Sequence, residues 1–235
     1  MLKIFQKGFN FSQDGPGNRL VYHLAGCNFS CRWCSNPEGM QLAECSYRTY
    51  TLDEIVAECI SCRPMFFDGG GVTLTGGEPT LQMDAVIELF ARLREQGIST
   101  AIETNGSSPR LRELLPLVDH LMMDVKHYDP AVHVEWTGVR NDVTLENFEY
   151  LARSGREATI RIPIINGFNN DPLGFAAYFS KFATDKLRFE LLPYHEYGKE
   201  KWKHPYLVQD GFISADDQRA FRQIFEAHGL CLVTS

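Results

Sequence analysis

The chain has 235 residues, is 44% hydrophobic and carries a formal net charge of -7. That length and apolar fraction suffice for one sizeable core, so residues 1–235 are expected to form a single domain. The acidic balance argues against nucleic acid or an anionic membrane as a partner, since both select a basic face. The opening MLKIFQKGFNFSQDGP turns polar before a secretory apolar core can form, and no later apolar run is long enough to span a bilayer. The expected location is the cytoplasm, where seven cysteines point to metal binding and not to a disulfide framework.

In chain order, apolar β-branched runs of strand length occur at 20–25, 72–75, 99–102, 121–125, 159–164 and 189–192. Helix signals fall between them. Thr51 followed by Glu54 is a capping box ahead of IVAECI, and MDAVIELFARLREQ ends at Gly97. TLENFEYLARSG is expected to start at a Thr144 cap and to close at Gly155. Regular alternation of strand and helix predicts parallel strands with right-handed crossovers, in a barrel or an open doubly wound sheet. The segments after the strands read GCN, TGGEP, ETNG, DVK, RIPI and LPYH, which gathers Glu78, Glu103, Asp124, Lys126 and His195 at one rim. In a (β/α) barrel that rim carries the active site. The Gly69-Gly70-Gly71 run precedes a strand instead of opening a helix, so it makes a poor phosphate loop.

GCNFSCRWCSNPEG places three cysteines, Cys27, Cys31 and Cys34, on one short stretch with no obvious fourth. A structural zinc site is closed by four ligands, and His23 could supply the last. His23, however, falls inside the first expected strand and back from the rim. A cubane iron-sulfur cluster held by three thiolates keeps one iron open for a substrate. Cys59 and Cys62 have the spacing of a metal knuckle, but on the expected helix they share a face with Ile55 and pack as small apolar side chains. Cys231 is expected in the core, and Cys45 has no assigned role.

Cys27-x3-Cys31-x2-Cys34 with Trp33 before the last cysteine, together with TGGEP on the next strand, resembles the cluster motif of the radical S-adenosylmethionine superfamily. The resemblance implies a partial (β/α)6 TIM-like barrel of parallel strands with outer helices. It also implies a 4Fe-4S cluster whose open iron is chelated by S-adenosylmethionine and whose electron yields a 5′-deoxyadenosyl radical. DGPGNR, GGGVTLTGGEPTLQ, ETNG, MMDVK, the Thr137-Gly138 pair, IRIPII and LLPYHEYGKEKW extend the similarity over nearly the whole chain. They follow the order found in activating enzymes of glycyl radical enzymes, in particular the pyruvate formate-lyase activating type. Such enzymes remove a hydrogen atom from a glycine of a partner protein, so reach and orientation matter more than an acid-base pair.

Carried over position by position, the resemblance makes Cys27, Cys31 and Cys34 the cluster ligands. It places the Trp33 backbone near the adenine and Gly76, Gly77 and Glu78 against the methionine amino group. Glu103, where relatives often have Asp, would meet the ribose or a monovalent cation near Glu103 and Asp124. Lys126 would neutralise the methionine carboxylate, Arg161 and His195 would help hold S-adenosylmethionine, and Asp14 would lie near the incoming glycine loop. Residues 39–49 leave no room for the ferredoxin-like insert that many such activators carry, so an external flavodoxin or ferredoxin is the expected electron donor to a monomer. Residues 195–205 are a candidate partner surface. The competing readings are a radical S-adenosylmethionine enzyme acting on a small molecule, of the 7-carboxy-7-deazaguanine synthase kind, and a zinc-stabilised binding module.

Overall fold

The computed structural model describes residues 1–233. Its eight strands are β1 (Leu2–Phe11), β2 (Asn18–Leu24), β3 (Arg48–Tyr50), β4 (Gly71–Gly76), β5 (Ser99–Thr104), β6 (His120–Asp124), β7 (Ala158–Ile164) and β8 (Leu187–Pro193). Between them run α1 (Leu52–Ser61), α2 (Met83–Glu95), α3 (Leu111–Leu114), α4 (Pro130–Thr137), α5 (Asp142–Ser154) and α6 (Pro172–Phe179), and α7 (Ala215–Ala227) follows β8. The strands form one open mixed sheet in the order β3-β1-β2-β4-β5-β6-β7-β8. The six strands read from the sequence are all present, each within two residues of its expected ends. The α/β reading holds, with β2, β4 and β5 parallel to one another and β7 parallel to β8. Strands β1 and β3 are additions that pair antiparallel, β1 with both β2 and β3. Among the described residues no helix is long and apolar enough to cross a membrane.

The chain divides into two compact units. The first comprises Met1–Asn28, Asn36–Thr104 and Ser108–Met122. One face of its strands is apolar. Tyr22 on β2 turns toward α1, its hydroxyl 3.7 Å from Cys59 Sγ, and Ile55 and Cys59 are fully buried beneath it. Thr51 and Glu54 cap α1 reciprocally, Thr51 N to Glu54 Oε2 at 2.7 Å and Glu54 N to Thr51 Oγ1 at 3.2 Å. On α2 the buried residues Val86, Leu89, Phe90 and Leu93 follow helical spacing.

The opposite face of these strands is polar, as the alternation of side chains requires. Its anchor is Arg19, a fully buried cation. Nε donates to Thr73 Oγ1 (2.7 Å), Nη1 to Pro16 O (3.2 Å) and Gly69 O (3.3 Å), and Nη2 to Val72 O (2.9 Å) and Ser99 O (3.2 Å). Burial pulls its pKa down to about 10, while Asp119 and Asp14 act to raise it, so it stays charged at neutral pH. Thr73 passes the contact on, its hydroxyl donating to Asp14 O at 2.7 Å.

The second unit comprises Phe29–Ser35, Asn105–Ser107 and the chain from Met123 onward. On β7 Ile160, Ile162 and Ile164 alternate with Arg161 and Pro163, and on β8 Phe189 and Leu191 flank Glu190. The apolar side meets a cluster of rings: Phe189 lies 4.9 Å from Phe179 and 5.8 Å from Phe225, centroid to centroid. Each such fully buried ring contributes about 1.5–3 kcal/mol by its removal from water.

Two expectations are corrected here. Helix α5 begins at Asp142, and Thr144 lies inside it, its hydroxyl donating to Asn105 O (3.0 Å) instead of capping. Only the closure at Gly155 stands as read. Cys231 is exposed, because the extended chain that follows α7 pairs through its backbone with Phe189 and buries Leu230 instead.

Replacing Arg19 by Leu removes all five of these donated hydrogen bonds at once, and the variant is expected to lose about 3 kcal/mol of stability, read as a lowered denaturant midpoint.

Candidate active site

The cysteine stretch follows the C-terminal end of β2 and has little regular structure of its own, only a short 3-10 turn at Pro37–Gly39. Its amides are therefore satisfied by other segments. In the first unit Gly26 N donates to Gly39 O and Cys27 N to Met40 O, both at 2.8 Å. In the second unit the acceptors are carbonyls of the last turn of α4, which a helix end leaves without intrahelical partners. Ser30 N donates to Thr137 O (2.8 Å) and Arg32 N to Trp136 O (3.1 Å). The Phe29 ring meets His133 edge-on at 5.2 Å, and the Arg32 guanidinium lies 5.1 Å from the Trp136 ring. His133 itself is buried and locked, Nδ1 lying 2.6 Å from Val139 O and 3.0 Å from Thr137 Oγ1. Burial pushes its pKa down to about 4, so it is neutral at physiological pH.

The Thr137-Gly138 pair explains itself in this setting. Gly138 closes α4 in the left-handed conformation at φ 79°, and a Cβ there would stand 2.6 Å from Ser30 Oγ.

All three cysteines stand outside any disulfide, Cys31 buried and Cys27 and Cys34 half-buried. Cys34 N donates to Cys31 O at 3.2 Å, which holds these two in one turn. Burial pushes the Cys31 thiol up to about 12, more than the nearby Lys126 lowers it. A bare thiolate is disfavoured there, whereas one bound to iron is deprotonated by the metal. The donor set fits an iron-sulfur cluster, in which each thiolate serves its own iron. Among the described residues no group of three His, Cys, Asp or Glu is placed to hold a single ion. His23 lies in β2 in register with Thr75, edge-on to Phe5 at 5.7 Å.

In the second unit four charged side chains form a cluster. Lys126 Nζ lies 2.7 Å from Asp124 Oδ2, and Arg161 Nε stands 3.7 Å from both Asp124 Oδ1 and Glu190 Oε2. Burial acts to raise the Asp124 carboxyl, but Lys126 and Arg161 outweigh it and hold the group below the ordinary aspartate range. Lys126 Nζ also stands 6.0 Å from the centre of the Trp33 ring. Trp33 packs against Phe168 at 4.8 Å and Trp136 at 6.3 Å, so this part of the cysteine loop is seated on an aromatic base. His195, two residues beyond β8, is exposed, stacks on Tyr197 at 4.3 Å and accepts from Tyr197 N at Nδ1 (3.4 Å). Partial burial lowers its pKa.

The remaining candidates lie in the first unit. Gly76 and Gly77 bring the end of β4 against the backbone of His23, Leu24 and Gly26, where a Cβ would collide. Gly77 N donates to Leu24 O (2.8 Å) and Glu78 N to Gly26 O (2.7 Å), which pins the start of the cysteine loop. The Glu78 side chain is buried and accepts from Thr80 N (3.0 Å), Thr80 Oγ1 (2.5 Å) and Thr104 Oγ1 (2.7 Å). Glu103 accepts from Thr75 Oγ1 at 2.6 Å. Asp14 lies in the loop that leads into β2, at the strand end opposite to Cys27, and its carboxylate accepts from Asn10 Nδ2.

Sequence reasoning missed Glu190 and His133. The period-2 alternation of IRIPI and RFELL, set in parallel register, pairs Arg161 with Glu190 and could have found the first. His133 carried no local signal, because its role depends on the loop that α4 meets.

Two outcomes follow from this geometry. Gly138→Ala is expected to cost about 1–2 kcal/mol through the left-handed backbone alone, with a further loss from the Ser30 contact, read as a lowered melting temperature. Asp124→Asn leaves Lys126 and Arg161 without their shared anion and is expected to cost about 1–3 kcal/mol at pH 7. Because the folded Asp124 carboxyl lies below the unfolded one, its stabilisation is complete above the unfolded pKa and is lost as pH falls through the folded one. The difference in stability between wild type and variant should therefore be largest at neutral pH and shrink below about pH 4, measured by denaturation across that range.

Residues 21–177 match the family model described as the Radical SAM superfamily. A pyruvate formate-lyase-activating enzyme from Staphylococcus aureus (strain USA300) is 33% identical over 226 residues, covering 90% of this chain and 89% of that protein. The solved domain of a pyruvate-formate lyase-activating enzyme from Bacteroides vulgatus ATCC 8482 superposes with a TM-score of 0.60 at 28% identity, over 71% of this chain and 99% of that one. A radical SAM methyltransferase from Sphaerobacter thermophilus shares the fold, with a TM-score of 0.70 at 15% identity over 97% of this chain and 68% of that one. The chain thus belongs to the radical SAM superfamily, whose members use a 4Fe-4S cluster and S-adenosylmethionine, and within it to the family of pyruvate formate-lyase-activating enzymes.

Proposed function

We propose that this protein activates a glycyl radical enzyme of the pyruvate formate-lyase type by removing a hydrogen atom from a glycine α-carbon of that partner. The observation that carries the reading is the loop with three cysteines outside any disulfide, Cys27, Cys31 and Cys34, in a chain that resembles the activating enzymes over nine-tenths of its length. When bound, the cluster and S-adenosylmethionine supply the hydrogen acceptor, one electron cleaving the sulfur-carbon bond to give methionine and a 5′-deoxyadenosyl group that leaves as 5′-deoxyadenosine.

The chain's own residues have the tasks of binding, orientation and charge balance. Lys126 would offer its ammonium to the methionine carboxylate, in exchange with the Asp124 carboxylate it now meets. Arg161, which lies near both Asp124 and Glu190, would then remain as the cation that faces the two carboxylates. Gly76 and Gly77 fix the backbone over which the amino end of the ligand would lie, and Glu78 holds that turn by accepting from Thr80 and Thr104. Trp33 would present its backbone to the adenine, and His195 would close on the ligand from the segment after β8. Asp14 would meet the partner's glycine loop, approaching from the strand ends opposite the cysteines.

A monovalent cation near Glu103 and Asp124 belongs to the same proposal. It would compete with the Thr75 hydroxyl on Glu103 and with Lys126 and Arg161 on Asp124. We further infer one domain, one cluster, a monomeric state and a cytoplasmic location, with electrons supplied directly by a flavodoxin or ferredoxin. Cys59 supports the single cluster: it is fully buried under Tyr22, and burial pushes its thiol up to about 12.

Low-temperature electron paramagnetic resonance on the anaerobically reconstituted and reduced protein tests the assignment. The expected result is a reduced 4Fe-4S signal that changes when S-adenosylmethionine is added and is absent in Cys31→Ala. Failure to bind iron, or a signal indifferent to S-adenosylmethionine, would contradict it.

A further inference from the structure

The segment after β8, LLPYHEYGKEKWKHPY, reads from sequence as a partner-facing loop, and Tyr197 is indeed 83% exposed. The same segment turns back onto the cysteine loop. A 3-10 turn at Lys199–Lys201 separates Gly198 from Trp202, and both residues meet the stretch Cys34-Ser35. The Trp202 indole Nε1 donates to Cys34 O at 3.0 Å. Lys201 Nζ reaches Ser35 O at 3.4 Å. Gly198 is packed so closely on Ser35 that a Cβ would stand 2.5 Å from its Cα and 2.6 Å from its carbonyl oxygen.

Trp202 is held for this contact. Its ring meets Tyr206 nearly perpendicularly at 5.5 Å, and the Tyr206 hydroxyl lies 2.7 Å from that of Tyr194. Tyr194 is buried with Ile165, Phe168 and Val208, and both Trp33 and Tyr206 pack against the same group. Trp33, which precedes Cys34 in the chain, and Trp202, which donates to the Cys34 carbonyl, thus share one apolar support, Trp202 through Tyr206.

We propose that Trp202 is a positioning residue for the cluster, acting through the Cys34 carbonyl, and that residues 198–206 form a strap on the cysteine loop. A donor on that carbonyl fixes the peptide plane between Cys34 and Ser35, and the orientation of the plane sets the direction in which the Cys34 thiol leaves the backbone. Hydrogen-bonded partners of a ligating residue tune both retention of the metal and its electronic properties, and here the partner acts on the backbone of that residue. The inference rests on the reading that Cys27, Cys31 and Cys34 hold a cluster.

The experiment compares reconstituted wild type with Trp202→Phe, which keeps a ring against Tyr206 and removes the N–H. Iron per chain, the rate of iron loss to excess chelator, the paramagnetic resonance spectrum of the reduced protein and the melting temperature of the iron-free protein are measured. The variant is expected to load iron, to lose it about tenfold faster and to give a shifted spectrum, with the iron-free melting temperature unchanged. Glu200→Ala, on the exposed side of the same turn, should match wild type throughout. If Trp202→Phe does not fold, Gly198→Ala disturbs the strap from its other end and is expected to give the same faster loss. A variant that retains iron at the wild-type rate with an unshifted spectrum, whether or not it melts earlier, would reduce Trp202 to a packing residue and overturn the proposal while leaving the cluster in place. A wild type that holds no iron would overturn the functional reading and this one with it.

Discussion

A loop proposed to turn three thiols toward one ligand cannot also commit its amides to a helix or a sheet, and each buried amide left without an acceptor costs about 1–3 kcal/mol. The acceptors here are backbone carbonyls of neighbouring segments. In the first unit Gly39 and Met40 serve Gly26 and Cys27, and the Gly77-Glu78 amides in turn bind Leu24 and Gly26. In the second unit the frayed end of α4 serves Ser30 and Arg32, and Trp202 binds the carbonyl that Cys34 presents. Motifs far apart in the sequence, TGGEP, WTG and GKEKW, are thus parts of one requirement, an irregular backbone held still.

The same requirement separates what was readable from what was not. The six strands read from the sequence and the helices α1, α2 and α5 announce themselves by local periodicity and helix-end signals, because burial on one face dictates each residue type in turn. Strand β1 has no such pattern: LKIFQKGFNF interleaves apolar residues with Lys, Gly and Asn, and the strand forms because β2 and β3 offer it hydrogen-bonding edges. Thr144 shows the limit of a cap rule, since the hydroxyl found a better acceptor at Asn105 O than a helix start could supply. Cys231 was misplaced because an apolar neighbourhood says nothing of which side of an extended chain faces inward.

Of the candidate site, residue types and order were legible, while partners were not. Asp124 and Lys126 were read as site residues gathered at one rim, and in the structure they meet each other at 2.7 Å, but the contacts of Arg161 with Asp124 and Glu190 need the register of β7 against β8. Glu78 was read as a ligand contact, and the structure adds that its Oε1 accepts from two threonine hydroxyls and an amide, bonds that brace the turn that carries it. Arg19 and Asp14 lie within one motif, DGPGNR, and the structure joins them through Thr73, so a buried cation at the foot of the strands sets the backbone of the residue proposed to meet the partner.

The central claim is that hydrogen moves from a partner's glycine to the cofactor. The most direct measurement supplies the reduced, cluster-loaded protein with S-adenosylmethionine and a pyruvate formate-lyase whose glycines are deuterated at the α-carbon, and analyses the 5′-deoxyadenosine by mass spectrometry. The account predicts product carrying one deuterium, formed together with a glycyl radical on the partner. Unlabelled 5′-deoxyadenosine, with no radical on the partner, would contradict it.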